Sequence, residues 1–181
     1  MEEHYYSVKY YVINRYCIPY VSLSQKERFK ENDIMCIDVR KTCECGSHTV
    51  QFHLRDNVMM PQVIARLFCP SCPGDSAFDS TTMLCDNDWI IKYDMDLACG
   101  LLAKKLQIDQ EEVTPEFIFD NGYACWQEMY PGEKEDIQED RKKIIALLQQ
   151  DRNVYLQAMQ DWNIERIERL KSAGWRKVLQ A

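Results

Sequence analysis

The chain is predicted to fold as an α+β protein, a small antiparallel β module followed by a helical region that ends in a long helix. Three observations lead there. Apolar residues recur at every second position on both sides of residues 43–46, at Met35, Ile37 and Val39 and again at Val50, Phe52 and Leu54. Beyond Tyr93 the recurrence lengthens to the helical period, with Leu97, Leu101 and Leu102 forming a stripe. From Glu133 to Ala173 there is neither Pro nor Gly. With 181 residues, 46% of them apolar, the chain can build one core, or a small domain carrying a helical appendage. Three segments are expected: residues 1–33, an aromatic stretch packing on the module; residues 34–93, the β module; and residues 94–181, the helical region.

Taken in order, Tyr6, Val8, Tyr10 and Val12 alternate onto one face and predict an N-terminal strand, with a helix as the competing assignment. Ser24-Gln25-Lys26-Glu27 is a capping box that opens a short helix ending near Asn32-Asp33. Two strands then flank Cys43-Glu44-Cys45-Gly46, and Asp56-Asn57 supplies a turn. Val63–Phe68 reads as a further strand, with a short helix over residues 61–67 as the alternative. Pro73-Gly74-Asp75 turns the chain away, and Trp89–Tyr93 is the last strand, after the polar turn Asp86-Asn87-Asp88. Asp94 and Asp96 mark a helix start and Lys104 and Lys105 its end, as the helix dipole favours. Thr114-Pro115 pairs an N-cap with proline at the first helical position, and Asn121-Gly122 and Pro131-Gly132 are breaks. Ile137, Ile144, Leu148, Tyr155, Met159 and Trp162 then recur at helical spacing, predicting one long helix or a helical hairpin that Gly174 stops. Trp126, Tyr130, Tyr155 and Trp162 are read as helix-face aromatics of the core, and Glu139 with Lys143 as a surface i,i+4 pair.

Two short cysteine pairs, Cys43-Glu44-Cys45 and Cys69-Pro70-Ser71-Cys72, carry the clearest chemistry in the chain. Four thiolates from separate turns can surround one tetrahedral ion at ~2.3 Å, which suits zinc, with iron as the alternative. Gly46 and Gly74 follow the pairs, and glycine permits the positive φ that turns backbone N–H groups toward sulfur. Cys45-Gly46-Ser47-His48 also has ligand spacing, so a set of Cys45, His48, Cys69 and Cys72 stands beside Cys43, Cys45, Cys69 and Cys72. His53, with parity opposite to Phe52, is expected at the surface. The second pair, running Cys69-Pro70-Ser71-Cys72-Pro73-Gly74, resembles the Cys-Pro-x-Cys-Gly knuckle of the zinc-ribbon and rubredoxin-type families, apart from one inserted proline. The resemblance covers about residues 34–93. It implies a zinc-ribbon-like module with a structural zinc or, in the rubredoxin-like form, an iron that transfers single electrons.

Nine cysteines are an odd number, and pairs this close do not suit a secreted disulfide framework. Cys17, Cys36, Cys85, Cys99 and Cys125 are read as small buried apolar residues. Disulfide exchange at Cys69 and Cys72 is disfavoured, because Pro73-Gly74-Asp75 is poor helix-opening sequence.

Charge narrows the partners. Residues 1–74 carry nine Lys/Arg against eight Asp/Glu, whereas residues 75–181 carry 13 against 21. An acidic half argues against phosphate-backbone binding. Residues 102–114 resemble a helix-turn-helix signature, but Gln107 replaces the turn glycine, Pro115 falls inside the would-be reading helix, and Asp109, Glu111, Glu112 and Glu116 would repel a phosphate backbone. No nucleophile motif or phosphate loop is present, so catalysis would need a zinc with an open position, with Glu44 or Asp56 as the nearest acids. Acids and tyrosines occupy the positions a signal peptide fills with bases and apolar residues, and no apolar run could span a bilayer. The expectation is a cytoplasmic metal-binding protein that works by protein interaction, with another protein or with its own copies.

Overall fold

The computed structural model describes residues 36–72, 77–149 and 151–179. The expected N-terminal strand and capping-box helix, Cys17, Met35 and the Pro73-Gly74-Asp75 turn lie outside the described residues.

Among the described residues there are two antiparallel three-stranded sheets. In the first, β1 (Ile37–Thr42) pairs with β2 (Thr49–Leu54), which pairs with β6 (Ala124–Trp126). β2 shows why this is a sheet. Val50, Phe52 and Leu54 are buried and the residues between them are not, as a two-residue period requires of a strand with one covered face. In the second sheet the order is β3 (Ile64–Phe68), β5 (Trp89–Tyr93), β4 (Met83–Asp86). β4 and β5 form a hairpin around Asn87 and Asp88, whose φ values of 45° and 65° suit the primed turn that a two-residue hairpin needs. The segment read as strand or helix near residue 63 is both in succession, a 3-10 turn over Pro61–Val63 and then β3.

Trp126 joins the layers. It does not lie on a helix face as expected; it ends β6, a strand too short to show periodicity. Its ring packs against Phe52 at 4.7 Å, Trp89 at 5.8 Å and Phe119 at 6.0 Å between centroids. Its Nε1–H donates to the buried Asp86 carboxylate at 2.6 Å. Tyr93, also buried, donates its hydroxyl to Ala124 O at 2.7 Å, a second tie between the sheets.

α1 (Met95–Leu106) opens on Asp94, whose carboxylate accepts from Leu97 N at 3.0 Å. It closes on Gln107 in the left-handed region at φ 58°. α2 (Pro115–Asp120) starts as predicted on Thr114, which accepts from Phe117 N, and it buries Ile118 and Phe119. At six residues, with that face turned into the core, α2 has neither the length nor the free face of a reading helix.

The Pro- and Gly-free stretch is a helical hairpin. α3 (Glu133–Ile145) runs through a 3-10 turn (Ala146–Gln149) to α4 (Arg152–Ser172), which Asp151 caps by accepting from Asn153 N at 2.6 Å. Gly174, at φ 85°, ends α4 and lets α5 (Arg176–Leu179) fold back. The hairpin is held by the ion pair of Glu133 and Arg166 and by Trp162 Nε1–H donating to Asp140 at 3.0 Å. The surface partner of Lys143 is Asp140 rather than Glu139, at 3.8 Å. α5 is anchored by buried Trp175 and Val178, by Arg176 N donating to Asp86, and by the Arg176 guanidinium clasping Asp120 at 2.7 and 3.1 Å. Among the described residues no helix is long and apolar enough to cross a membrane.

Candidate metal centre

The centre sits where the two sheets meet. β1 delivers the chain to Cys43, and the turn back to β2 is closed by Cys43 N donating to His48 O and Gly46 N donating to Cys43 O, both at 2.8 Å. Gly46 takes φ 75°, the left-handed conformation that a side chain would resist. β3, from the other sheet, delivers Cys69, and Cys72 N donates back to Cys69 O at 2.9 Å. A backbone bond links the first turn to β3, Glu44 N donating to Leu67 O at 2.9 Å.

The four sulfurs of Cys43, Cys45, Cys69 and Cys72 all lie within 4.8 Å of one another. Four edges of this cluster measure 3.0 Å for Cys43 to Cys72, 3.4 Å for Cys43 to Cys45, 3.6 Å for Cys45 to Cys69 and 3.8 Å for Cys69 to Cys72. A tetrahedron with metal–sulfur bonds of ~2.3 Å has sulfur–sulfur edges of ~3.8 Å. The cluster thus has about the dimensions of a four-thiolate site, and all four cysteines are free of disulfides. Cys69 N–H donates to Cys43 Sγ at 3.0 Å, the kind of bond that spreads thiolate charge into the backbone.

The surroundings of the sulfurs differ. Cys43 and Cys69 are buried, Cys72 is half-buried and Cys45 is exposed. Burial, with the Cys72 sulfur beside it, pushes the Cys43 thiol up to about 12. The backbone N–H of Ser47, the Cys43 side chain and the Ser47 hydroxyl pull Cys45 down to about 5. A bound cation supplies the positive charge that lets all four thiols ionise together, and its binding releases protons.

His48 lies outside the four-sulfur group. Its ring stands edge-on to Trp89 at 6.0 Å, and it is the smallest of the influences that lower the Cys45 thiol. Four sulfurs close a tetrahedron and leave no position for water. Glu44 is exposed on the first turn, while Asp56 follows the far end of β2, about 17 Å along the strand from Thr49. Asp56 instead pairs with Arg55 at 3.1 Å.

The remaining cysteines correct a uniform expectation. Cys125 is buried, Cys36 and Cys99 are half-buried and Cys85 is exposed. His53 is also less exposed than expected. It pairs with Asp38 across β1 and β2 at 3.1 Å, with its side chain 22% accessible, and stands opposite Cys125 in the sheet register. This row of Asp, His and Cys does not present a nucleophile, because Cys125 is 1% exposed and burial pushes its thiol up. No protein-family model, curated protein or solved structure matches the chain.

Proposed function

We propose that the chain is a cytoplasmic zinc protein in which Cys43, Cys45, Cys69 and Cys72 hold a structural zinc, and that it acts as a protein-interaction or assembly module. The observation that carries this is the convergence of the four sulfurs from turns belonging to different sheets. A metal there cross-links two small sheets beside the backbone bond from Glu44 N to Leu67 O of β3. That is a folding role, and a closed four-sulfur shell gives the ion no vacant coordination position for hydrolytic chemistry. An interaction role is supported by the apolar residues left exposed on the helical hairpin, among them Leu148, Val154, Leu156 and Ile164, each about half accessible. The surplus of acids in the C-terminal half makes nucleic acid a poor partner.

Cobalt substitution tests the ligand set. Apoprotein titrated with Co²⁺ is expected to develop intense thiolate charge-transfer bands and the visible bands of a tetrahedral ion, saturating at one equivalent. Cys45→Ser should shift those bands, and His48→Ala should leave the sulfur count unchanged. A pale octahedral spectrum, or no saturation at one equivalent, contradicts the site. Protein isolated with a visible colour that bleaches on reduction replaces zinc by iron at the same sulfurs.

A further inference from the structure

We propose that Cys45 is the peroxide-reactive sulfur of the metal centre, and that its oxidation ends in a Cys45–Cys69 disulfide that releases the zinc while leaving the two sheets joined. This rests on the zinc reading above and adds the regulation of that site. Cysteines that ligate zinc are thiolates, the form that attacks a peroxide. Which of the four reacts is then a matter of access. Cys43 and Cys69 are buried and Cys72 is half-buried, whereas Cys45 is exposed on the turn between β1 and β2. Cys43 is guarded a second time, because Cys69 N–H donates to its sulfur at 3.0 Å and draws charge away from it.

Hydrogen peroxide is the oxidant. The Cys45 thiolate attacks one peroxide oxygen, the O–O bond breaks and hydroxide leaves, so that Cys45 becomes a sulfenic acid. A second thiolate attacks the sulfenic sulfur, the S–S bond forms, the S–O bond breaks and another hydroxide leaves. Two protons from solvent convert both hydroxides to water. The two sulfurs together lose the two electrons that the peroxide gains, and the ion is left with half of its ligands.

Geometry selects the second sulfur. Cys45 Sγ lies 3.4 Å from that of Cys43 and 3.6 Å from that of Cys69, so either bridge needs a closing movement of about 1.5 Å to reach disulfide length. A bridge to Cys43 would span Glu44 alone, inside a turn whose shape is held by Gly46 N donating to Cys43 O and Glu44 N donating to Leu67 O. A bridge to Cys69 runs from the first turn to the second and breaks neither bond. The sulfurs left over, those of Cys43 and Cys72, are 3.0 Å apart, so a second peroxide bridges them by the same steps. Both bridges tie the residues after β1 to those after β3, one sheet to the other. Covalent links thus take over the cross-linking place of the metal, and they restrict the unfolded chain as well. A chelator unfolds the sheets; peroxide removes the same ion and leaves them folded.

The test treats the zinc-loaded full chain with hydrogen peroxide, after its zinc content has been measured, and follows release with a chromogenic zinc indicator. Dimedone, which traps sulfenic acids, is expected to mark Cys45 first when the earliest samples are mapped by peptide mass spectrometry. Without the trap, the map should show the Cys45–Cys69 bridge, formed in step with zinc release, and the near-ultraviolet circular dichroism should keep its folded form. Cys45→His supplies a ligand without an oxidisable sulfur and should slow release at least about tenfold. Cys85→Ser, at an exposed cysteine outside the cluster, should release zinc at the wild-type rate. Trapping and mapping on the wild-type chain decide the matter even where Cys45→His holds no zinc. Zinc retained under peroxide, first trapping at another cysteine, a Cys43–Cys45 bridge, or a folded spectrum lost together with the zinc overturns this proposal and leaves the zinc reading standing. Protein that takes up no zinc before peroxide is added overturns both.

Discussion

Chelation of the zinc proposed at Cys43, Cys45, Cys69 and Cys72 is expected to unfold the two sheets rather than loosen them locally. Structural zinc contributes roughly 10–16 kcal/mol of apparent binding energy in small cysteine-rich modules, as much as the ~5–15 kcal/mol that holds a whole domain folded. Around the cysteines, what remains without it is Glu44 N–H to Leu67 O of β3 and Cys69 N–H to Cys43 Sγ, beside the Trp126 and Tyr93 ties between the sheets. Such bonds contribute only about 0.5–1.5 kcal/mol each. Four ionisable thiols packed within 4.8 Å would also face one another without a cation between them. Cys69→Ser, removing a buried ligand, should mimic chelation, and Cys85→Ser, at an exposed position outside the cluster, should change stability by no more than about 0.5 kcal/mol. Thermal melts followed by near-ultraviolet circular dichroism report this directly, because Trp89 and Trp126 pack against each other in the core.

The second large effect is expected at the base of the hairpin. Glu133 and Arg166 form an ion pair with side-chain accessibilities of 6% and 10%, and Glu133 also accepts from Met129 N. Trp162 lies under the guanidinium, with the charge centre 5.7 Å from the ring centroid. Glu133→Gln leaves the Arg166 cation buried without a counter-charge, a change that costs about 3–5 kcal/mol. Replacing both, as Glu133→Gln/Arg166→Met, removes the stranded charge and should recover most of that loss. Urea unfolding of the four members of this cycle checks the result. A loss in the double variant equal to the sum of the two single losses would mean that the pair does not act as a unit.

The strands around the first cysteine pair were legible because one face of β2 is buried and the other is not, so Val50, Phe52 and Leu54 print a two-residue period into the sequence. Helix starts were legible where a side chain itself does the capping, at Asp94 and Thr114. β6 was not, because all three of its residues are buried and three residues cannot show alternation. That placed Trp126 on a helix when it is the hub between sheets. β4 was missed although Asn87 and Asp88 carry its signal, since two residues tolerant of positive φ between apolar runs mark a tight hairpin. Of the candidate site, the four cysteines were legible from spacing and their convergence from the paired turns. Spacing also offered His48 as a ligand beside Cys45, and its place outside the four-sulfur group, edge-on to Trp89 far away in sequence, was not legible.

Elemental analysis of natively purified protein, with thiols counted on the same sample, bears most directly on whether the four sulfurs share an ion. The expected result is one zinc per chain, with Cys43, Cys45, Cys69 and Cys72 protected from alkylation until a chelator is added. Folded protein containing no stoichiometric metal, or with any of these four cysteines joined in a disulfide, would contradict it.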